Sequence, residues 1–311
     1  MIDEARKYLD NNGVITAVRD HDDETLFNWL MTTLSYQGVS DSVAFGYMEK
    51  HGRADMKSIA TALGNKPGCA KLQSYWHYQN CRYRKTDRTC AEPSKLRRCP
   101  VPRLPLRNGR LNQTACSLFL FFRDVAGGDF VSWIDDRLAE ADIGLSSKRG
   151  ALMAAAVIEP LRNVYGIADK VISLGLAMLF LAGDPGRERW RATGAAMIAI
   201  DTLVHNWLHR TGILNRFDAN HSYGVQCYAE NGCAAIIDAT ARRIDTSALN
   251  ADFPKVFPRL VQFAIWQFCS EAGLAQCNGN RIDDSRRCRL SYCMLFDRCD
   301  RHALMPRKPA A

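Results

Sequence analysis

The sequence predicts an all-α protein, and three features carry that expectation. Leu26, Trp29, Leu30, Thr33 and Leu34 recur at helical spacing, the pattern of a helix with one buried face. Two apolar runs, Ala151 to Arg162 and Val171 to Ala182, flank a short glycine-containing stretch, which reads as two helices joined by a tight turn. Near the end, Phe257, Leu260, Val261, Ala264, Ile265 and Phe268 mark an apolar helix over 253–268. With 311 residues, 47% of them hydrophobic, the chain can form one large or two ordinary domains. It holds no apolar run of about 18 residues, so a membrane-spanning helix is excluded, and its first residues are no signal peptide. A cytoplasmic monomer is expected, in which the 12 cysteines serve metal rather than disulfides.

The elements follow in order. Residues 3–20 read as a short helix, and Asp22 and Asp23 offer caps to the next one. That helix ends in Leu34-Ser35-Tyr36-Gln37-Gly38-Val39-Ser40-Asp41, after which Val43 and Ala44 open another. Helical periodicity stops near Leu63. Residues 64–105 read as an insertion rich in glycine, proline and charge, with Cys69, Cys81, Cys90, Cys99 and His77. A basic loop without an apolar core needs a staple, and zinc or a second iron–sulfur cluster on these four cysteines would provide one. The helical pattern resumes at Asn108 through Phe122, and 131–145 is amphipathic. After the paired runs, Asp184-Pro185-Gly186 makes a turn and Arg189–Ala195 a short helix. Asp201 follows an apolar run where a helix N-cap belongs. Cys116, Cys227 and Cys233 read as ordinary buried cysteines.

Charge is concentrated. The net charge is +8, and residues 81–110 account for all of it, with ten basic residues, among them Arg82, Arg84, Lys85 and Arg88, against Asp87 and Glu92. A neutral body with one basic arm points to a polyanionic partner.

The stretch Val164-Tyr165-Gly166-Ile167-Ala168-Asp169-Lys170 lies between the two apolar runs. A turn followed by a helix N-terminus offers backbone N–H groups to a phosphate without reading sequence. Lys170 sits where the helix macrodipole disfavours a cation, so its amine is a candidate nucleophile; a solvated lysine at a helix start is the plainer alternative.

These residues resemble the helix-hairpin-helix of the endonuclease III superfamily of DNA glycosylases, with Tyr165 in place of the family's proline and Ala168 in place of its second glycine. Three further segments fall in family order. Leu34-Ser35-Tyr36-Gln37 resembles the loop whose glutamine enters the duplex beside the extruded base. Ile200-Asp201-Thr202 resembles the segment carrying the catalytic aspartate, although the family's histidine is Leu203 here. The cysteines at 277, 288, 293 and 299 stand where many relatives hold a [4Fe–4S] cluster, with only the last gap of the family spacing kept and Cys269 an alternative to Cys277.

The resemblance implies two helical domains with a cleft between them. Residues 24–199 would hold the hairpin and the metal-stapled 64–105 insert, and 1–23 plus 200–311 would carry the cluster loop. It implies a glycosylase with AP lyase activity on double-stranded DNA bearing a damaged or modified base, bound to the nucleoid through that DNA. Lys170 would attack C1′ with help from Asp201, while Gln37, Gly166 and Ala168 bind DNA; the family normally lacks the insert, and Arg82, Arg84, Lys85 and Arg88 are expected on the DNA from their charge alone. MutY-like adenine glycosylases fit less well, because Thr32 stands where their glutamate would and they lack the hairpin lysine. A non-catalytic DNA-binding protein using only the hairpin and the basic insert is the alternative.

Overall fold

The computed structural model describes residues 1–144 and 146–305. Helices dominate, and the single sheet among the described residues is a two-stranded antiparallel ribbon. No helix is long and apolar enough to cross a membrane. The chain divides into two compact units, Met1–Gly194 and Ala195–Ala311.

The first unit opens with α1 (Ile2–Asn11) and α2 (Val14–Asp20). The expected single helix over 3–20 is broken at Gly13, which takes the left-handed conformation (φ 70°) that glycine adopts at little cost. Asp22 caps α3 (Asp23–Leu34) by accepting from the N–H groups of Glu24 and Thr25. Leu26, Trp29, Leu30 and Leu34 are buried as expected, and Thr33 is half-buried. Then come α4 (Asp41–His51) and α5 (Met56–Leu63).

Residues 64–105 are short turns around α6 (Tyr75–Tyr78) and the ribbon β1 (Tyr83–Arg84) and β2 (Thr89–Cys90). This insert is not without a core, contrary to expectation: Leu72, Tyr75, Tyr78, Tyr83 and Val101 are all buried. Aromatic rings bury a large apolar area each, so a few of them anchor a loop that has no helical periodicity to read.

The unit continues through α7 (Asn112–Leu120), α8 (Phe130–Ala141), α9 (Arg149–Arg162), α10 (Asp169–Ala182) and α11 (Glu188–Ala196), the last running across the boundary between units. The amphipathic stretch expected over 131–145 ends as helix at Ala141, and residue 145 lies outside the described residues. Helix α3 is the hub, packing on α2, α5, α7, α8 and α10. Its Phe27 meets Phe122 edge-on at 5.7 Å, and Phe122 stacks on Phe130 at 4.3 Å. Truncating any of these fully buried rings to alanine costs about 3–5 kcal/mol. At Gly175 of α10 an added Cβ would stand 2.9 Å from Thr33, so glycine lets α3 and α10 approach.

Residues 1–23 were expected to join the C-terminal domain. They belong to the first unit instead, because α1 lays its buried Leu9 face against α10 and α2 packs on α3.

The second unit holds α12 (Thr202–Arg210), α13 (Ile213–Arg216), α14 (Cys233–Ala241) and α15 (Pro258–Cys269). Its core joins Ile200, Val204, Leu208, Leu214, Ile236, Ile237 and Ile265 with Cys227, Cys233 and Cys269. The helix expected over 253–268 starts only at Pro258, whose ring suits the first helical position but has no N–H to continue a helix from upstream.

Candidate nucleic-acid face and cysteine centres

Helices α9 and α10 are joined by the turn that carries Tyr165, Gly166 and Ala168. Gly166 has φ 75°, and a Cβ there would lie 2.7 Å from Thr114 Oγ1, so both conformation and space require glycine. Ala168 has φ −106°, a value alanine adopts freely, which explains why a second glycine is not needed. No side chain caps α10, and within its first turn the Val171 N–H bonds the Ala168 carbonyl at 3.1 Å. Lys170 is the second residue of α10 and is half-buried; the neighbouring carboxylate of Asp169 is already engaged by Arg162 at 2.8 Å.

Gln37 is placed differently from the expectation that it enters the duplex. Its amide grips the turn, donating to the Gly166 carbonyl at 2.6 Å and accepting from the Ala168 N–H at 2.9 Å. A primary amide presents a donor and an acceptor side by side, which matches two backbone groups of one turn. The Ala168 N–H is therefore held by Gln37 and is not the open phosphate donor that was expected. Arg107 holds the Gln37 carbonyl at 2.7 Å, tying the edge of the insert into the same arrangement.

Tyr165 is the turn's link to the insert. Its hydroxyl donates to the Gln79 carbonyl at 2.6 Å, its ring meets Tyr78 edge-on at 5.7 Å, and Gln79 in turn reaches the Asn163 carbonyl at 3.2 Å. The ribbon consequently lies beside the turn. Tyr83, Arg84, Lys85, Thr86 and Asp87 share with Tyr165 and Gly166 the walls of one open concavity of about 790 Å³, part of it solvent. Arg88 is turned away toward Asn108, 3.0 Å from its side-chain oxygen.

Cys69, Cys81 and Cys90 all lie near Cys99 in the insert. Gly68 and Arg98, which precede Cys69 and Cys99, press together so closely that a Cβ at 68 would meet Arg98 Cβ at 2.9 Å. Cys90 pairs in register with Tyr83, two residues after Cys81. Burial, then the nearby Cys81, Cys69 and Cys90, push the Cys99 thiol up to about 11. Backbone N–H groups two residues downstream point at sulfur in three cases: Tyr83 at Cys81, Glu92 at Cys90 and Val101 at Cys99. Donors aimed at sulfur suit a thiolate bound to a cation. Cys116 is separate, fully buried and pushed upward by desolvation.

In the second unit, Cys277, Cys288, Cys293 and Cys299 line one concavity of about 340 Å³ with Phe268, Ile282, Leu290, Phe296 and Arg210. Cys269 stands behind Cys277 as its hydrogen-bond partner; that bond, then burial, raises the Cys269 thiol, while the same bond holds Cys277 below the usual thiol range against its own burial. The Arg301 N–H points at Cys299. Asp201 is buried at the start of α12 and accepts the Val204 N–H at 2.9 Å, the N-cap the sequence indicated. Tyr228 accepts the N–H of Ile200 at 2.9 Å, and the Arg259 guanidinium donates to the Gln262 side chain.

A fourth group was not anticipated. His205, His221, Cys227 and Cys233 bring four ligand atoms within 4.8 Å of one another and could hold a metal ion. Cys227 and Cys233 are buried as expected, but they stand beside two histidines as well as core side chains. Burial first, then His221 and His209, lower His205 to about 4. The pattern His205-(x15)-His221-(x5)-Cys227-(x5)-Cys233 was the signal available in the sequence. Its gaps fit no short metal knuckle, and His205 was hidden inside the segment read for Asp201.

No family model matches the chain, and neither a curated protein nor a solved structure shows significant similarity to it.

Proposed function

We propose that the protein is a DNA glycosylase with AP lyase activity, acting on double-stranded DNA with a damaged or modified base. The observation that supports it best is the shared concavity of the turn and the ribbon, where Arg84 and Lys85 stand beside Gly166 at the uncapped start of α10. Helix N-termini and basic side chains together attract a phosphate backbone. Lys170, one residue into that helix, would then lie near the sugar of the bound strand.

In the proposed reaction the neutral Lys170 amine attacks C1′. The new N–C1′ bond forms as the bond to the base breaks, the base leaving with the electron pair and taking up a proton. Asp201 stabilises the positive sugar electrostatically and accepts the ammonium proton. Ring opening gives a Schiff base, from which loss of a C2′ proton expels the 3′ phosphate.

The thiols of Cys277, Cys288, Cys293 and Cys299 would hold a [4Fe–4S] cluster, since all four line one largely apolar concavity. Such a group would order the loop; base removal needs no redox change. The insert thiols suit zinc or a second cluster. A non-catalytic DNA-binding protein remains the second reading, since the turn and ribbon both lie in the first unit and need neither Lys170 nor Asp201.

Borohydride trapping on duplexes carrying a panel of modified bases tests the proposal. A covalent adduct is expected with wild type, its loss with Lys170→Ala, and binding kept in both. Trapping by Lys170→Ala at the wild-type level assigns the nucleophile elsewhere. Binding without excision of any base in the panel favours the non-catalytic reading.

A further inference from the structure

We infer that His205, His221, Cys227 and Cys233 form a closed zinc site in the second unit, and that its metal fixes the helix start carrying Asp201. The geometry is that of a single tetrahedral ion. Zinc bonds of about 2.3 Å to sulfur and 2.0–2.1 Å to nitrogen place neighbouring S and N ligands roughly 3.6 Å apart. Nδ1 of His205 lies 3.4 Å from Cys233 Sγ and 3.5 Å from Cys227 Sγ, and His221 Nε2 lies 3.4 Å from Cys233 Sγ. The donor set, two thiolates and two imidazoles, is borderline-soft and neutral with a divalent ion, which favours zinc over calcium or magnesium.

The surroundings are built for it. His221 directs Nδ1 to the Ala219 carbonyl at 2.6 Å, which fixes that nitrogen as the donor and turns Nε2 toward the thiols. A backbone carbonyl on the far nitrogen is the usual support of a metal-bound imidazole. Gly232 lets the segment before Cys233 pass against Cys227, because a Cβ there would stand 2.3 Å from the Gln226 carbonyl and 2.7 Å from that of Cys227. Three of the four ligands are buried, with Cys227 and Cys233 inside the unit's core, so no coordination position opens to a substrate.

The site also joins three separate stretches of chain. His205 lies one helical turn beyond Asp201 on α12, and Cys233 begins α14. Between His221 and Cys233, Tyr228 accepts from the Ile200 N–H at 2.9 Å and Tyr223 reaches the Ile200 carbonyl at 3.5 Å. The metal-tethered segment therefore clasps the residue immediately before Asp201. Asp201 touches none of the four ligand atoms, so the zinc acts on it only as a positioning device.

The site's existence does not depend on base excision, and its test reads metal rather than activity. Elemental analysis of the purified full chain should find that His221→Ala lowers zinc by one equivalent per chain with iron unchanged, and that His221→Cys, which keeps a ligand at that position, restores it. Zinc-edge X-ray absorption of the wild type should show a shell mixed in nitrogen and sulfur. Equal zinc in wild type and His221→Ala overturns the assignment. So does an all-sulfur shell in the wild type, or a Cys227–Cys233 disulfide in protein purified anaerobically.

Discussion

Replacing Gly166 by alanine probes the turn on which the proposed DNA face is built. Two costs are separable. Alanine at φ 75° pays about 1–2 kcal/mol for the left-handed conformation. Its Cβ, 2.7 Å from Thr114 Oγ1, must also displace that buried hydroxyl, an overpacking cost of about 1–3 kcal/mol. Together these predict a loss of about 2–5 kcal/mol, readable as a fall in the urea midpoint on the order of 1–2 M. Thr114→Ala removes the obstructing oxygen, so the double variant should recover the overpacking part while keeping the conformational part. The four proteins make a double-mutant cycle with a positive coupling of about 1–3 kcal/mol. DNA affinity, followed by fluorescence anisotropy, should fall in Gly166→Ala beyond what instability explains, because the shift moves the grip of Gln37 on Gly166 and Ala168. Stability of Gly166→Ala within about 0.5 kcal/mol of wild type would show that the turn is neither tight nor left-handed in solution. Absence of coupling to Thr114 would refute the steric half alone.

Two further outcomes are expected. The double variant Arg84→Ala/Lys85→Ala should weaken binding to damaged and undamaged duplexes alike and lower the slope of log K against log salt by up to about 1.8, since each phosphate contact contributes about 0.9; an unchanged slope would turn the ribbon away from DNA. Cys293→Ser should remove the brown visible absorbance expected of an anaerobic preparation, whereas Cys269→Ser should keep it, because Cys269 stands behind Cys277 rather than on the concavity; the reverse result would exchange their roles.

What the sequence revealed was whatever local chemistry determines. Asp22 and Asp201 were legible as caps, because a short carboxylate before an apolar helix has few other uses. The two helices around Gly166 were legible from their apolar runs. Distance in sequence hid the rest. The bond from Gln37 to Ala168 spans 131 residues, and no periodicity announces it. The histidine–cysteine group draws on four points between 205 and 233, at gaps set by how α12 and α14 each pack on α15 rather than by a local loop. The aromatic core of the insert escaped notice because the helical spacing of Leu72, Tyr75 and Tyr78 ends after a single turn of helix and Tyr83 lies on a strand of two residues, both too short to show a period.

Tyr165 has a consequence for how the molecule could be altered. A proline at this position would stiffen the turn from within and leave it self-sufficient. A tyrosine instead borrows its rigidity from Tyr78 and Gln79, which belong to the insert. The insert is thus a splint for the turn as well as an arm beside it, and the two hold their shape as one piece. Any chain that lost residues 64–105 would have to change residue 165 as well, and a lineage carrying both changes would trade an external brace for an internal one.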